Sequence, residues 1–361
     1  MSHSPLHTMV ETTSTDFWND SCAIAELQYA IANGGTGATS NPTIVGEVIA
    51  KEWAVWAPRI RTIHEERPSL SDVDVTWQVI EDMGVGAARE LEPTFQREEG
   101  RKGRLSMQTN PTWWADADRM LEQGLRFAAL APNVQVKFPA SSAGLVSIEE
   151  ATAQGVSINA TVSFTVPQAL AVGAAVERGL ERREAAGQDV SSMNPVCTLM
   201  IGRLDDWMKA ICERDDILVD PAALDWAGIA VMKRAASIYR ERAYRTRLLA
   251  AAYRNQLHWT ELIGGDIVMT LTHLWQRRFN DSGIEVRSRF DDPVPAHHLT
   301  QLRERIPDFR RAWEPDGLSP HEFDSYGATV RTLRGFIGSY WDLVRTIDGI
   351  LLPNPDTRPT P

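Results

Sequence analysis

The sequence predicts an α/β protein, a single (β/α)₈ barrel with extra helices at its N- and C-terminal ends. Two observations lead to this fold class. Short segments that are apolar, or that alternate between apolar and polar residues, recur along the chain, and stretches with apolar residues at helical spacing separate them. Such alternation implies a parallel sheet, and eight units imply a closed barrel. The 361 residues suffice for one barrel of ~250 residues with additions.

In the first half of the chain, four strands are predicted, each closed by a polar residue or a proline. They cover residues 15–20, 37–42, 103–108 and 133–140. Helical spacing predicts the helices that follow or precede them, over residues 24–32, 44–61, 70–90 and 116–130. Asn33-Gly34-Gly35 stops the first of these helices, and Arg67-Pro68 separates the second from the third.

The same alternation continues in the second half of the chain. Strands are predicted over residues 157–164, 196–202, 248–254 and 266–272, and helical segments over 145–153, 167–184, 224–243 and 259–263. Residues 274–300 are polar and irregular, and we expect them to lie over one end of the barrel. Helical spacing returns over residues 302–313 and 323–350.

These assignments divide the chain into three parts. We expect residues 1–14 to be a flexible tail and residues 351–361, which are rich in proline, to be disordered. Residues 15–350 hold the barrel, with a C-terminal helical extension that begins at about residue 274.

Composition and charge exclude several classes of function. The net charge of −11 argues against nucleic acid as a partner, because no basic stripe offsets it. No stretch approaches the ~18 consecutive apolar residues of a membrane span. The three cysteines, Cys22, Cys197 and Cys212, lack the spacing of a disulfide framework or a metal site. Because the N-terminus also lacks the apolar segment of a signal peptide, we expect a cytoplasmic protein.

The predicted strand over residues 133–140 carries a lone lysine, Lys137, near its carboxyl end. The carboxyl ends of the strands form the catalytic face of a (β/α)₈ barrel. A lysine buried there is disfavoured as a cation, so its pKa can fall from ~10.4 towards ~7–8 and leave a neutral amine nucleophile. The alternative is a lysine that reaches from the strand end into water.

Polar residues of a few kinds collect at the other predicted strand ends. They are Asp20, Asn41, Gln108, Asn159, Thr161, Thr198, Arg203 and Arg254. Together with Lys137 they match the needs of aldol chemistry, in which an amine attacks a ketone and a carboxylate takes a hydroxyl proton so that a carbon–carbon bond breaks. Amides and hydroxyls can hold sugar hydroxyls, and arginine binds phosphate.

At these positions the sequence resembles the transaldolase family, a family of class I, Schiff-base aldolases. The resemblance covers roughly residues 15–340, in order and without rearrangement. It rests on the segments 37–43, 136–140, 155–161, 201–207 and 261–266, and on C-terminal pieces at 316–318, 322–324 and 331–334.

The resemblance implies a role for each candidate residue. Lys137 is the Schiff-base lysine, and Asp20 is the acid/base, with Asp16 as the alternative. By the same resemblance, Thr161 positions the catalytic water with Gln108. The remaining five residues bind substrate: Asn41 and Asn159 hold donor hydroxyls, Thr198 takes the place of the family's usual serine, and Arg203 and Arg254 hold the substrate phosphate.

Three departures from the family pattern bear on the exact reaction. Gln108 stands where transaldolases usually have glutamate, and glutamine can orient water but cannot take its proton. Met200 stands where transaldolases have phenylalanine and fructose-phosphate aldolases have tyrosine. Ala252-Tyr253-Arg254 replaces the usual Ser-X-Arg and loses one hydroxyl.

Three functions stay open at this point. The first is a transaldolase that moves a dihydroxyacetone unit between sugar phosphates, as in the pentose phosphate pathway. The second is an aldolase that releases this unit, and the third is a non-catalytic barrel that binds a sugar phosphate. The adjacent pair His297-His298 lies in a predicted loop, so we expect no metal site and no cofactor. Assembly into a homodimer is left open.

Overall fold

The computed structural model describes residues 4–356, and within them the chain forms a closed barrel of eight parallel strands, which confirms the predicted fold class. The strands follow one another around the barrel in chain order, and the last pairs with the first. They are β1 (Asp16–Asn19), β2 (Gly37–Thr39), β3 (Arg104–Gln108), β4 (Val134–Pro139), β5 (Ile158–Ser163), β6 (Val196–Leu199), β7 (Arg247–Ala250) and β8 (Ile267–Leu271).

Helices cover the outside of the barrel and extend it at both ends. Across residues 4–356 they are α1 (Pro5–Thr12), α2 (Ile24–Ala32), α3 (Pro42–Lys51), α4 (Trp53–Glu66), α5 (Asp72–Arg97), α6 (Ala117–Ala128), α7 (Ser142–Ala153), α8 (Val166–Ala185), α9 (Ile201–Arg214), α10 (Pro221–Leu224), α11 (Ala227–Glu241), α12 (Leu257–Thr260), α13 (His273–Asn280), α14 (Ala296–Arg305), α15 (Pro307–Trp313), α16 (Pro320–Phe323) and α17 (Gly327–Leu351). A 3₁₀ turn spans Pro111–Trp113.

The strands are buried on both faces, as expected of a parallel sheet with helices outside and side chains filling the interior. Every residue of β4 and β5 is buried. The register places Gln108 of β3 beside Lys137 of β4, and Lys137 beside Asn159 of β5. Three of the predicted site residues therefore lie next to one another across neighbouring strands.

Most of the flexible tail expected over residues 1–14 is ordered, and residues 1–3 of that tail lie outside the described residues. Residues 5–12 form α1, which begins after the N-cap Ser4 and buries Leu6 and Met9 completely. The Leu6 amide donates to Asn280 Oδ1 over 3.1 Å, and Trp259 Nε1 contacts Met9 Sδ at 3.3 Å. So short a helix has little stability of its own, and its order comes from tertiary contacts that a local pattern does not reveal.

Two further expectations are corrected in the second half of the chain. The strand predicted over 196–202 ends at Leu199, and α9 begins at Ile201, because the apolar run continues from strand to helix without a change in burial. Within residues 274–300, which were expected to be irregular, α13 spans His273–Asn280 and α14 begins at Ala296, so His297-His298 lies in a helix and not in the predicted loop. The polar composition of α13 hid that helix, although Thr272 caps it and Phe279 is buried.

The long helix α17 belongs to the predicted C-terminal extension and carries Phe336 to the mouth of the barrel. It ends at Leu351, where the disordered tail was expected to begin, and residues 357–361 of that tail lie outside the described residues. Between residues 4 and 356, no helix combines the length and apolar character needed to cross a membrane.

Candidate active site

A cavity of about 320 Å³ lies at the carboxyl ends of the strands. The side chains of Trp275 in α13 and Phe336 in α17 complete its wall. Seven of the nine predicted site residues line it: Asp20, Asn41, Lys137, Thr161, Thr198, Arg203 and Arg254. The other two, Gln108 and Asn159, are buried beside Lys137 in the adjacent strands.

A larger cavity, of about 420 Å³, lies near the amino ends of β7 and β8. Its three arginines, Arg240, Arg245 and Arg247, all form ion pairs with acidic side chains. No lysine is among its lining residues. The cavity at the carboxyl ends holds a buried amine beside a carboxylate, so it is the candidate active site.

Lys137 is 6% exposed, and burial lowers its pKa from 10.5 to about 8. The value of about 8 already includes two smaller effects: the carboxylate of Asp20 raises this pKa, and the charge of Arg203 lowers it. Among the described residues, the Nζ atom has one hydrogen-bond contact, a long one of 3.4 Å to the carbonyl oxygen of Ser40. About one lysine in ten is therefore neutral at pH 7, which is enough to supply a nucleophilic amine.

Asp20 directly follows β1, and its amide donates to Leu271 O over 2.8 Å, which fixes it at the strand end. The Thr39 hydroxyl donates to Asp20 Oδ1 over 2.6 Å. Thr39 Oγ1 also lies 2.9 Å from Thr270 Oγ1, so the Thr270 hydroxyl must donate to Thr39. No Lys, Arg or His of residues 4–356 forms an ion pair with Asp20, which leaves its carboxylate open to a substrate hydroxyl.

Asp16, the alternative acid, lies at the opposite end of β1. Its carboxylate forms ion pairs with Lys102 Nζ at 2.8 Å and Arg247 Nη1 at 2.7 Å. It does not line the cavity that contains Lys137. Both carboxylate oxygens of Asp16 form ion pairs, so this side chain is suited to stabilising the amino end of the barrel.

Asn41 and Asn159 present their amide groups differently. Asn41 Oδ1 accepts the Ile44 amide over 3.0 Å and so caps α3, while its side chain still lines the cavity. Asn159 is fully buried; its Oδ1 accepts from Thr198 Oγ1 over 2.7 Å and its Nδ2 donates to Ser106 Oγ over 3.2 Å. Each amide is thus oriented, and each retains an N–H that the cap or network does not use.

Gln108 carries an unsatisfied polar atom next to the lysine. Its Oε1 is buried and has no hydrogen-bond partner in the described part of the chain. An unpaired buried acceptor is costly unless a water or a ligand satisfies it. Its position beside Lys137 suits it to hold a water or a substrate hydroxyl.

The end of β5 is distorted where Thr161 meets the cavity. The register with β6 shifts between Ala160 and Ser163, and Val162 has a φ of 53°, a left-handed conformation that costs ~1–2 kcal/mol for such a residue. The buried Gln168 holds this segment: its Oε1 accepts from Phe164 N over 3.0 Å and its Nε2 donates to Val162 O over 3.2 Å.

The two predicted phosphate-binding arginines differ in their surroundings. The Arg203 guanidinium lies 5.2 Å from the centre of the Phe336 ring and has no hydrogen-bond partner among residues 4–356. Burial and the charge of Arg254 lower its pKa. Arg254 already donates to Asp206 at 3.0 and 2.7 Å and to the carbonyls of Ala252 and Tyr253 at 3.1 Å. Arg203 therefore offers more free donors to an anion.

Sequence reasoning missed several residues of the site. Thr39, Phe336 and Trp275 contact the cavity, and Gln168 and Asp206 hold the residues that do. Thr39 could have been found, because it lies in a segment that carries the family resemblance. Phe336 and Trp275 come from helices distant in sequence from the strand ends, and no local pattern assigns them to the mouth. Between residues 4 and 356 there is no group of three or more His, Cys, Asp or Glu side chains placed to hold a metal ion.

The fold and the lysine-containing cavity define the class of protein: a (β/α)₈ barrel with its candidate active site at the carboxyl ends of the strands. The chain belongs to the transaldolase/fructose-6-phosphate aldolase family, whose model matches residues 17–313. It is thus an enzyme of the transaldolase or a closely related aldolase type.

Relatives of the chain include proteins named transaldolase from several bacteria. The transaldolase of Neisseria gonorrhoeae is 30% identical over 277 residues, which cover 72% of this chain and 77% of the relative. That of Parafrankia sp. is 27% identical over 350 residues, covering 88% and 91%. That of Mycolicibacterium smegmatis is 30% identical over 211 residues, covering 57% and 55%.

Proposed function

We propose that this enzyme transfers a dihydroxyacetone unit from a ketose phosphate to an aldose phosphate through a Schiff base on Lys137. The observation that carries the proposal is a single buried lysine, with its pKa lowered to about 8, in a cavity that also contains Asp20 and Arg203. A neutral amine, a carboxylate without a cationic partner and an unpaired guanidinium are the three groups that the reaction needs.

The proposed reaction begins with attack of the neutral Lys137 amine on the ketone carbon of the donor. The carbinolamine loses water and becomes an iminium ion. Asp20 then takes the proton of the hydroxyl on the second carbon from the iminium carbon. The bond between that carbon and the carbon next to the iminium breaks, and its electron pair moves to the iminium, which becomes an enamine. The aldehyde fragment leaves, and the enamine attacks the acceptor aldehyde, whose oxygen takes the proton back from Asp20 while the iminium forms again. Water then adds to this iminium and releases the new ketose and the free Lys137 amine.

The other polar residues have supporting roles in this proposal. Asn41 and Asn159 hold donor hydroxyls through their amide groups, and Thr198 orients Asn159 by donating to its Oδ1 over 2.7 Å. The unpaired Oε1 of Gln108 and the hydroxyl of Thr161 hold the water that adds to the imine. Arg203 is the main contact of the substrate phosphate, and Arg254 adds its remaining donor.

A second function, release of free dihydroxyacetone as in the fructose-6-phosphate aldolase reaction, is favoured by Gln108. The family resemblance supports this function, because the aldolase relatives carry glutamine at this position, where transaldolases usually carry glutamate. Transfer is favoured by Phe336 of α17, which lines the mouth and restricts the access of water to the enamine. A purely sugar-binding barrel is disfavoured, because binding alone does not need a desolvated amine.

The deciding experiment follows both products at once. The enzyme is incubated with fructose 6-phosphate, with and without erythrose 4-phosphate. We expect sedoheptulose 7-phosphate only when the acceptor is present, and little free dihydroxyacetone in either case. Free dihydroxyacetone formed at the same rate with and without acceptor would establish the aldolase function instead. No turnover of any ketose phosphate would favour the sugar-binding barrel.

A cellular role follows from the proposed substrates. Transfer of three carbons between sugar phosphates belongs to the pentose phosphate type of carbohydrate metabolism, and we propose this role. The cytoplasmic location and the homodimer stay predictions.

A further inference from the structure

Beneath the arginine side of the cavity lies a buried pair that does not line the cavity. Asp205 of α9 and His258 of α12 are both fully buried, and Asp205 Oδ2 lies 2.7 Å from His258 Nε2. Burying a carboxylate and an imidazole costs free energy unless both groups form good hydrogen bonds. The partners of this pair therefore indicate what it does in the structure.

The hydrogen bonds of the pair have a defined direction. The backbone N–H of Arg254 donates to His258 Nδ1 over 3.2 Å, so this nitrogen carries no proton. His258 Nε2 then carries the proton and donates it to Asp205 Oδ2, while Asp205 Oδ1 accepts the Gly228 amide over 2.8 Å. This chain of bonds connects α11, α9 and α12 to the segment that follows β7.

The segment that receives this support is strained. Ala252 has a φ of 67°, in the left-handed region, which costs ~1–2 kcal/mol for a residue other than glycine. Its carbonyl packs against Gly202, where a Cβ atom would not fit. Strained backbone persists where the surrounding structure holds it in place, and such positions gather at functional sites.

The two neighbouring acids of α9 therefore have different tasks. Asp206 forms an ion pair with the guanidinium of Arg254 at 2.7 Å. Asp205 accepts a hydrogen bond from His258, which in turn accepts the backbone N–H of Arg254. The guanidinium and the backbone amide of Arg254 are thus both held through adjacent residues of α9.

We propose that Asp205 and His258 form a positioning pair, which sets the distance between the phosphate-binding arginine wall and Lys137. The inference rests on the proposed function, since it gives Arg254 a phosphate to bind. The number of bonds between the ketone carbon and the phosphate is fixed in a given sugar phosphate and limits the span that the donor can reach, so a rigid Arg254 favours donors of one chain length. The pair touches no substrate and acts through Arg254.

Two matched substitutions of His258 separate its two hydrogen bonds. In His258→Asn, the short amide can place its oxygen where Nδ1 was and accept from the Arg254 amide, but it does not reach Asp205. In His258→Gln, the longer amide reaches Asp205 and leaves the Arg254 amide without an acceptor. KM and kcat are measured for fructose 6-phosphate and for unphosphorylated fructose, with erythrose 4-phosphate as acceptor and Arg203→Ala as the reference variant.

For His258→Gln we expect a rise of about tenfold in KM for fructose 6-phosphate, the scale of one lost hydrogen bond to a charged group. The kcat value and the KM for fructose should change much less. His258→Asn should recover most of the affinity for fructose 6-phosphate. Asp205→Asn, a second variant, should raise the same KM, because its amide cannot accept from both His258 and Gly228.

The outcomes distinguish this inference from the proposed function. If the wild-type enzyme and Arg203→Ala do not discriminate fructose 6-phosphate from fructose, the phosphate site itself fails. If the wild type discriminates and the glutamine and asparagine variants of His258 behave alike, or if KM rises equally for both sugars, the positioning role is overturned. Circular dichroism of each variant reports the folded fraction to which the rates are normalised.

Discussion

The two aspartates of the first strand region carry the same charge and occupy opposite ends of the barrel. Asp16, at the amino end, is held by Lys102 and Arg247 at 2.8 and 2.7 Å. Asp20, at the carboxyl end, accepts a hydroxyl hydrogen bond from Thr39 and forms no ion pair with any residue from 4 to 356. The same side chain is neutralised at one end of the barrel and left available at the other.

The difference extends to the cations at the two ends. At the amino end, Arg247 also pairs with Asp266 at 2.9 Å. At the carboxyl end, Lys137 is buried with its pKa lowered to about 8. The Arg203 guanidinium lies beside the Phe336 ring and forms no hydrogen bond or ion pair with any residue from 4 to 356, although the charges of Arg254, Asp206 and Asp20 reach it. Matched charges stabilise the barrel, whereas unmatched ones cost stability and remain free to react, which is typical of catalytic faces.

The largest effect is expected from Lys137→Met, which removes the unmatched cation. Turnover and the borohydride-trapped adduct with a ketose donor should both disappear, because the arginines of the mouth stay protonated and cannot replace the amine. Peptide mass spectrometry of the wild type should find the three-carbon adduct on Lys137. An unlabelled Lys137 in an enzyme that turns over its donor would contradict the Schiff base.

The same variant should be more stable than the wild type at neutral pH. A lysine whose pKa falls from 10.5 to about 8 on folding binds fewer protons in the native state between those values, so wild-type stability rises with pH there. The stabilisation from methionine should be about 3 kcal/mol at pH 7 and about 1 kcal/mol smaller at pH 9. Urea unfolding at both pH values measures it, with Lys102→Met as the control that should lose stability and keep the adduct.

Asp20→Asn should have the next largest effect, on rate more than on stability. Loss of the acid/base proposed here should lower kcat by about 10²–10⁴-fold. The carboxylate of Asp20 raises the pKa of Lys137, so its removal lowers that pKa, and the pH profile of borohydride trapping should shift to lower pH. An unchanged pH profile would show that Asp20 is not coupled to the lysine.

Asp16→Asn should show the reverse pattern, with the smallest change in rate. It leaves Lys102 and Arg247 without their carboxylate and should lower the free energy of unfolding by about 2 kcal/mol. This is less than for a fully buried pair, because both cations reach solvent. Turnover per folded molecule should stay near that of the wild type. A loss of turnover as large as that of Asp20→Asn would contradict the conclusion that Asp16 stabilises the barrel and takes no part in the reaction.

The local sequence pattern predicted the strands better than it predicted the helices. All eight predicted strand segments overlap an observed strand, because alternation and apolar runs are properties of neighbouring residues. The helices α1, α9 and α13 escaped prediction. Helices α1 and α13 are short and are ordered by contacts with distant parts of the chain, and α9 begins inside the apolar run that was predicted as a strand. Asp16 stayed an alternative to Asp20 in the sequence analysis because both border the same short strand, and the two cations that hold Asp16 come from residues distant in sequence.

The sequence by itself determined the barrel, the position of Lys137 at a strand end, and the family to which its motifs point, because these depend on periodicity and on residues that are adjacent in the chain. Only the tertiary structure decided that the Phe336 ring faces Arg203 and that Asp206 forms an ion pair with Arg254. It also decided that Asp205 is connected to the backbone amide of Arg254 through His258. It also decided the pKa of Lys137. Pairing, burial and charge coupling depend on which groups meet across the barrel, and residues far apart in sequence carry no local signal of that meeting.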